Sequence, residues 1–167
     1  GALDVVTISG NQVASASKDA SLAKSLTVTG AGYLWYLSFS QTENNAQGGM
    51  LANVNLRLAI SNSIDREALV EDYVMDGSLA TYTAVPPQFA ASATTGADFA
   101  ADQDAFADVC GYNPEKAVEY FNAAVEELGT DTFTFTMIYG NNEGDSVSKV
   151  AQAIKSEVEE NLPGMTM

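Results

Sequence analysis

Hydrophobic and polar positions alternate most regularly near the C-terminal end of the chain. Phe133-Thr-Phe-Thr-Met-Ile-Tyr139 puts Phe133, Phe135, Met137 and Tyr139 on one face, which is the period of a strand. The flanking segments switch to helical spacing. Before the strand, Asn113-Pro114 opens a helix: Asn caps, and Pro takes the first turn, where its missing N–H costs nothing. Ala117, Phe121, Ala124, Val125 and Leu128 form the apolar stripe, and Gly129 ends it. After the strand comes a tight polar loop, Gly140 to Asp145. Ser146 to Asn161 then reads as an amphipathic helix with Val147, Val150, Ala151, Ile154 and Val158 inward. Pro163-Gly164 turns the chain into a last strand. The resulting order α, β, α, β predicts an α/β layer arrangement.

The first half is less regular. Leu3 to Ile8 and Leu26 to Val28 read as short strands, and 9–25 is open between a loop and a short helix. Tyr33 to Ser40 alternates with Trp35, Leu37 and Phe39 on one face and Leu34, Tyr36 and Ser38 on the other. Both faces are largely apolar, so a strand covered on both sides is expected. Asn53 and Asp65 are helix caps, with Val54, Arg57, Leu58 and Ser61 near helical spacing. Leu69, Tyr73, Val70 and Val74 make a face behind Asp65, and Gly77 is a stop. Residues 53–76 are then two successive helices, or one with a break near Ser63. The stretch 78–111 is poorly periodic and is expected to be a long irregular loop, of the kind that is usually functional or wrapped over a partner domain.

Composition narrows the function classes. The chain has 167 residues, 46% hydrophobic and 17% charged, enough for a core and too weakly charged for disorder. With 7 basic residues against 22 acidic, the net charge of −15 repels phosphate backbones and anionic membranes, so neither nucleic acid nor direct membrane insertion is expected. The longest apolar cluster, Tyr33 to Leu37, is far short of a membrane span. There is no histidine, which removes Ser-His-Asp and Cys-His catalysis and His-ligated metal sites. The single Cys110 cannot form an internal disulfide and reads as an inert thiol. No cofactor and no metal are expected. Gly1 at one end and Met165-Thr-Met167 at the other read as cut ends, so a single-domain segment of a longer protein is expected over 1–167.

Chemical motifs are weak. S-x-x-K occurs at Ser15–Lys18, Ser21–Lys24 and Ser146–Lys149, three matches to a pattern of two common residue types without its usual companions. Glu126-Glu127 and Glu159-Glu160 are paired carboxylates on solvent-facing helix positions, not acids facing each other across a cleft. Asp102, Asp104 and Asp108 fail the calcium-loop pattern at Phe106. Asn141-Asn142-Glu143-Gly144-Asp145 reads better as a turn than as an oxygen site. Tyr33, Trp35, Tyr36, Tyr82 and Tyr139 combine apolar faces with polar tips, which suits either a ligand cleft or core packing.

Residues 53–89 carry a resemblance. Arg57, Ala59, Ile64-Asp65-Arg66, Leu69-Val70, then Gly77 and Pro86-Pro87-Gln88-Phe89, resemble the pattern of the family 5 extracellular solute-binding proteins, the receptors of oligopeptide-type ABC importers. Tyr112-Asn-Pro-Glu-Lys-Ala117, the strand ending at Tyr139, Lys149 and Ala151, and Tyr36 to Phe39 follow the same order. Ala2 and Ser40 depart from the pattern, as does Gly-Gly-Met-Leu before the Arg57 helix.

The resemblance implies an α/β fold, a mixed sheet packed with helices as one lobe of a type II periplasmic-binding-protein clamp. It implies a peptide ligand, an ABC-importer permease as partner of the full-length parent, and an extracellular or periplasmic, lipid-anchored location. The acid that grips a peptide's amino end is expected elsewhere in the parent. The Arg57 and Arg66 helices are read as scaffold, with Arg66 paired to a carboxylate. Strand edges and the loops after them face the cleft, which nominates Trp35, Tyr36, Tyr139, Asn141 and Asn142 as ligand-binding residues. No catalytic residue is nominated. The competing readings are an acidic protein-interaction domain and a hydrolase fragment using S-x-x-K or paired acids.

Overall fold

The computed structural model describes residues 4–8, 10–29, 32–42, 48–101, 103–140 and 144–167. In chain order, α1 is Asn11–Lys18, α2 Val54–Asn62, α3 Arg66–Ala68, α4 Gln103–Cys110, α5 Pro114–Leu128, β1 Phe133–Thr134, α6 Asp145–Asn161 and β2 Met165–Thr166. Single 3₁₀ turns lie at Ala23–Ser25 and Met50–Ala52, and α3 runs on into a π-helical turn, Leu69–Val74.

Local side-chain chemistry sets the helix starts. Asn53 accepts from Leu56 N at 2.9 Å, Asp65 from Ala68 N at 3.1 Å and Asn113 from Lys116 N at 3.0 Å. Each satisfies an amide that the first turn leaves without a partner. Gly129, at φ 69°, closes α5. The break near Ser63 is real: α2 ends at Asn62, and Asp65 starts a new helix. The buried face of α2 is Leu56, Ala59 and Ile60, while Val54 is exposed, so the stripe is rotated from the one expected. The stop comes before Gly77. Met75 takes the left-handed conformation at φ 53°, and its N–H reaches Val70 O.

The centre of the fold is α2 lying antiparallel to α5. At one end Asn113 N donates to Asn62 O at 2.8 Å. At the other, Glu127 accepts from Asn53 Nδ2 at 2.7 Å and Asn55 Nδ2 at 3.0 Å. A carboxylate at a helix C-terminus is poorly placed by its own dipole, yet here it sits over the N-terminus of α2, where negative charge is favoured. Glu127 is thus a fastening that still lies on the solvent-exposed face expected for the Glu126-Glu127 pair.

The second layer is β1–α6–β2. The strands pair in parallel, Phe133 with Met165 and Thr134 with Thr166, as a helical crossover demands. Phe133 N donates to Gly164 O at 2.9 Å and Phe135 N to Thr166 O at 2.8 Å. Phe133 packs edge-on against Phe121 of α5 at 5.6 Å and stacks with Phe135 at 6.4 Å. Leu56, Ile60, Ala117, Phe121, Ala124, Phe133, Val158, Leu162 and Met165 belong to one buried cluster. Beyond β2, Glu159 accepts from Met167 N, while Lys155 donates to both Glu159 and Met167 O.

The expected strands are shorter than their sequence patterns. Phe133–Tyr139 keeps its alternation as far as buried Phe135, but only its first two residues are a ladder strand. The described part of Leu3–Ile8, the run Leu26–Val28 and Tyr33–Ser40 form no ladder among the described residues. A strand needs a ladder partner for its amides; Val5 is 86% exposed. In Tyr33–Ser40, Leu37 and Phe39 pack on the core and Leu34 is half-buried, while Tyr33, Trp35 and Tyr36 are exposed. Within 78–111, expected to be irregular throughout, Gln103–Cys110 is helical and an antiparallel bridge joins Ala91 to Asp98. Asp98 steadies the turn by accepting from Gln88 N at 2.7 Å and Ala100 N at 3.0 Å, bonds that hold its carboxyl below the ordinary range, that to Ala100 foremost. The stretch 9–25 resolves into α1 and a 3₁₀ turn.

Candidate functional site

Of the nominated residues, Trp35, Tyr36 and Tyr139 lie outside the helices and ladder strands. Trp35 is 57% exposed, Tyr36 78% and Tyr139 44%. No ring contact joins them among the described residues, and the Tyr139 hydroxyl lies 3.5 Å from Ser148 Oγ on α6. Asn141 and Asn142 lie outside the described residues, as do Asp102 and Ala2. Of the aromatic set, Tyr82 is engaged by a cation. Arg66 lies over its ring at 5.3 Å, and its hydroxyl donates to Glu67 at 3.3 Å. Burial, then the Glu67 charge, pushes this phenol above its usual value, so it remains a donor at neutral pH.

Among the described residues Arg66 makes no ion pair with a carboxylate, contrary to the expectation. Its guanidinium donates to Ser61 O and Cys110 O, both at 3.1 Å, and to Ser61 Oγ at 2.8 Å. Arg57 likewise serves backbone, donating to Leu51 O at 2.7 Å and Ala52 O at 2.8 Å. Carbonyls at the breaks between short helices need donors, and a planar fork with five N–H groups reaches several at once.

Among the described residues, two surface grooves stand out. One, of about 490 Å³, runs beside α1 and is lined by Ile8, Gln12, Ser15, Ala16, Asp19 and Leu22. The other, of about 390 Å³, lies between the π-helical turn and α6. It is lined by Tyr73, Lys149, Gln152, Ala153, Ser156, Glu157 and Glu160. Neither contains Trp35, Tyr36 or Tyr139. No hydrogen bond links Ser146 to Lys149 among the described residues, and Ser21 Oγ donates to Asp19 at 2.5 Å, not to Lys24. Among the described residues no cluster of three or more Asp, Glu or Cys is placed to hold a metal ion.

Glu157, on the wall of the second groove, ties α6 to α3 by accepting from Asp65 N at 2.8 Å. Its removal from water pushes its carboxyl above the ordinary 4.5, helped by the Asp65 and Glu160 charges and opposed by the Asp65 amide and Arg66. The folded value exceeds the unfolded one, so the favourable contribution is complete below about pH 4.5 and is lost as pH rises through the folded value. Glu157→Gln keeps an acceptor for Asp65 N and cannot ionise. Its urea midpoint is expected to match the parent near pH 4 and to exceed it near pH 7. A variant less stable than the parent near pH 7 would contradict this.

A model of the bacterial extracellular solute-binding proteins, family 5 middle region, matches residues 1–167. The chain belongs to this family. As a family 5 solute-binding chain it is 26% identical over 136 residues to the oligopeptide-binding protein OppA of Bacillus subtilis (strain 168), covering 79% of this chain and 22% of that one. It also resembles the substrate-binding domain of an oligopeptide ABC transporter from Bacillus anthracis str. Ames. That likeness has 32% identity and a TM-score of 0.60, over 70% of this chain and 21% of the other. A peptide-binding protein of a peptide ABC transporter matches with 33% identity and a TM-score of 0.65, over 75% of this chain and 53% of the other. The family 5 chain thus spans about a fifth of the length of the curated relative it matches. Its helices packed on a small sheet correspond to part of one lobe of the type II clamp. No described helix is long and apolar enough to cross a membrane.

Proposed function

We propose that this chain forms one wall of the cleft in a peptide-binding receptor that delivers its ligand to an ABC-importer permease outside the cytoplasmic membrane, and that it makes or breaks no bond itself. The observation that carries the reading is the family 5 match over 1–167, with peptide-transporter binding proteins among its structural relatives. A receptor of this kind closes two lobes on a ligand. An extended peptide offers main-chain amides and carbonyls plus unspecified side chains. Exposed Trp35, Tyr36 and Tyr139 would supply sequence-tolerant apolar contact, and Asn141 and Asn142 both a donor and an acceptor for peptide backbone. The rigid α2–α5 pair with α6 serves as scaffold behind that surface. Lipid anchoring belongs to the same proposal.

The test is calorimetry with short peptides of mixed sequence. In the receptor that contains this chain, Trp35→Ala and Tyr139→Ala are each expected to weaken peptide binding about tenfold without changing the melting temperature. Unchanged affinity in both would remove them from the cleft. The 167-residue chain alone supplies one wall and is expected to bind more weakly than micromolar. Micromolar affinity for it would refute the shared-cleft reading.

A further inference from the structure

Two stretches far apart in sequence converge on Arg66. One is Tyr82, at the start of the long connection; the other is Cys110, the last residue of α4. The guanidinium carbon lies 5.3 Å from the Tyr82 ring centroid, while Nη1 donates to Cys110 O at 3.1 Å. The same side chain is locked from behind by Ser61, whose Oγ accepts from Nη2 at 2.8 Å and itself donates to Cys110 O at 2.9 Å. Glu67, the next residue in α3, receives the Tyr82 hydroxyl.

The rest of the α4 terminus is held in the same way. Asn62 Nδ2 donates to Val109 O at 3.0 Å and Lys116 Nζ to Asp108 O at 2.8 Å. The last carbonyls of a helix have no intrahelical donor and carry its negative pole, so cationic and amide side chains are their natural partners. Apolar burial does little here. Phe106 and Val109 of α4 and Phe89 and Phe99 before it are exposed, and between 78 and 110 Ala100 is the one apolar residue in the core among the described residues. The α2–α5 packing, by contrast, makes no use of the Arg66 side chain.

We propose that Arg66 is a clasp: it docks the Tyr82 stretch and the end of α4 together onto the α2–α3 corner, and its loss frees both as one unit while the core stays folded. Local opening of this kind occurs where polar contacts, not buried area, hold a segment down. Lysine is a poor replacement, because a single ammonium cannot serve Ser61, Cys110 and the ring at once.

Hydrogen exchange read peptide by peptide tests the clasp. In Arg66→Met and Arg66→Lys, amides within 86–99 and within 105–111 are expected to exchange about tenfold faster or more, together, while α5 and α6 keep their protection. Unchanged exchange in both stretches, a response in only one, or an equal loss throughout α5 and α6 would each overturn it. Should Arg66→Met fail to fold, Tyr82→Leu decides. It removes the ring beneath the guanidinium together with the hydroxyl bond to Glu67, leaves the Arg66 bonds to Ser61 and Cys110 available, and Cys110, the single thiol of the chain, reports from the far end. Faster thiol labelling of Cys110 in Tyr82→Leu supports coupling through Arg66; an unaltered rate refutes it.

Discussion

Replacing Phe133 by Ala is expected to cost about 3–5 kcal/mol and to lower the melting temperature by roughly 10 °C, which thermal unfolding would read directly. The ring is 1% exposed and meets Phe121 edge-on and Phe135 face to face, so truncation removes contacts to α5 and to its own strand at once. Surrounding atoms cannot collapse into the space, because Gly164 and Met165 hold the neighbouring strand in register by backbone bonds. The same truncation at Tyr139, six residues along the same face, is expected to cost about 0.5 kcal/mol or less. A loss below about 1 kcal/mol for Phe133→Ala would mean that the sheet register is wrong.

Gly164→Ala is expected to destabilise by about 3 kcal/mol, although it adds one methyl group. Gly164 sits at φ +103°, a conformation L side chains rarely adopt, and an added Cβ would fall 2.2 Å from Asp131 O. Backbone cannot swing aside as a flexible side chain can. The displacement would also pull the Gly164 carbonyl away from Phe133 N and open the β1–β2 ladder. Gly96, at φ +71° with open space around its Cβ position, isolates the conformational part; Gly96→Ala is expected to cost about 1 kcal/mol. Equal losses at the two sites by urea unfolding would show that the clash at Asp131 is absent.

How much of this was legible in the sequence follows from the range of each interaction. Caps at Asn53, Asp65 and Asn113-Pro114, the Gly129 stop and the Pro163-Gly164 turn are decided within four residues, and they were readable. Tyr33–Ser40 carries a strand pattern, but pairing depends on a neighbour that its own residues cannot specify. The π-helical turn at Leu69–Val74 follows from tertiary packing and leaves no periodic trace. α4 was hidden in Ala-rich surroundings because Phe106 and Val109 face outward and give no buried stripe. For Arg66 the sequence supplied the cation but not its partners. Carbonyls are present at every residue, so only the fold says which ones lack donors. Trp35, Tyr36 and Tyr139 are exposed, while the polar groove at Glu157 had no sequence signal beyond scattered charges on α6.

The extended run at 32–40 shows solvent its Tyr33, Trp35 and Tyr36 side chains and forms no ladder among the described residues. Exposed aromatic side chains grouped in this way form an apolar patch on which a second molecule can settle. At neutral pH the net charge of −15 keeps copies apart, but near the isoelectric point of about 4.1 that repulsion vanishes. Colloidal behaviour is therefore set by two opposed features of one molecule, an exposed aromatic patch and an acidic coat, and acidification toward pH 4.1 shifts the balance toward self-association.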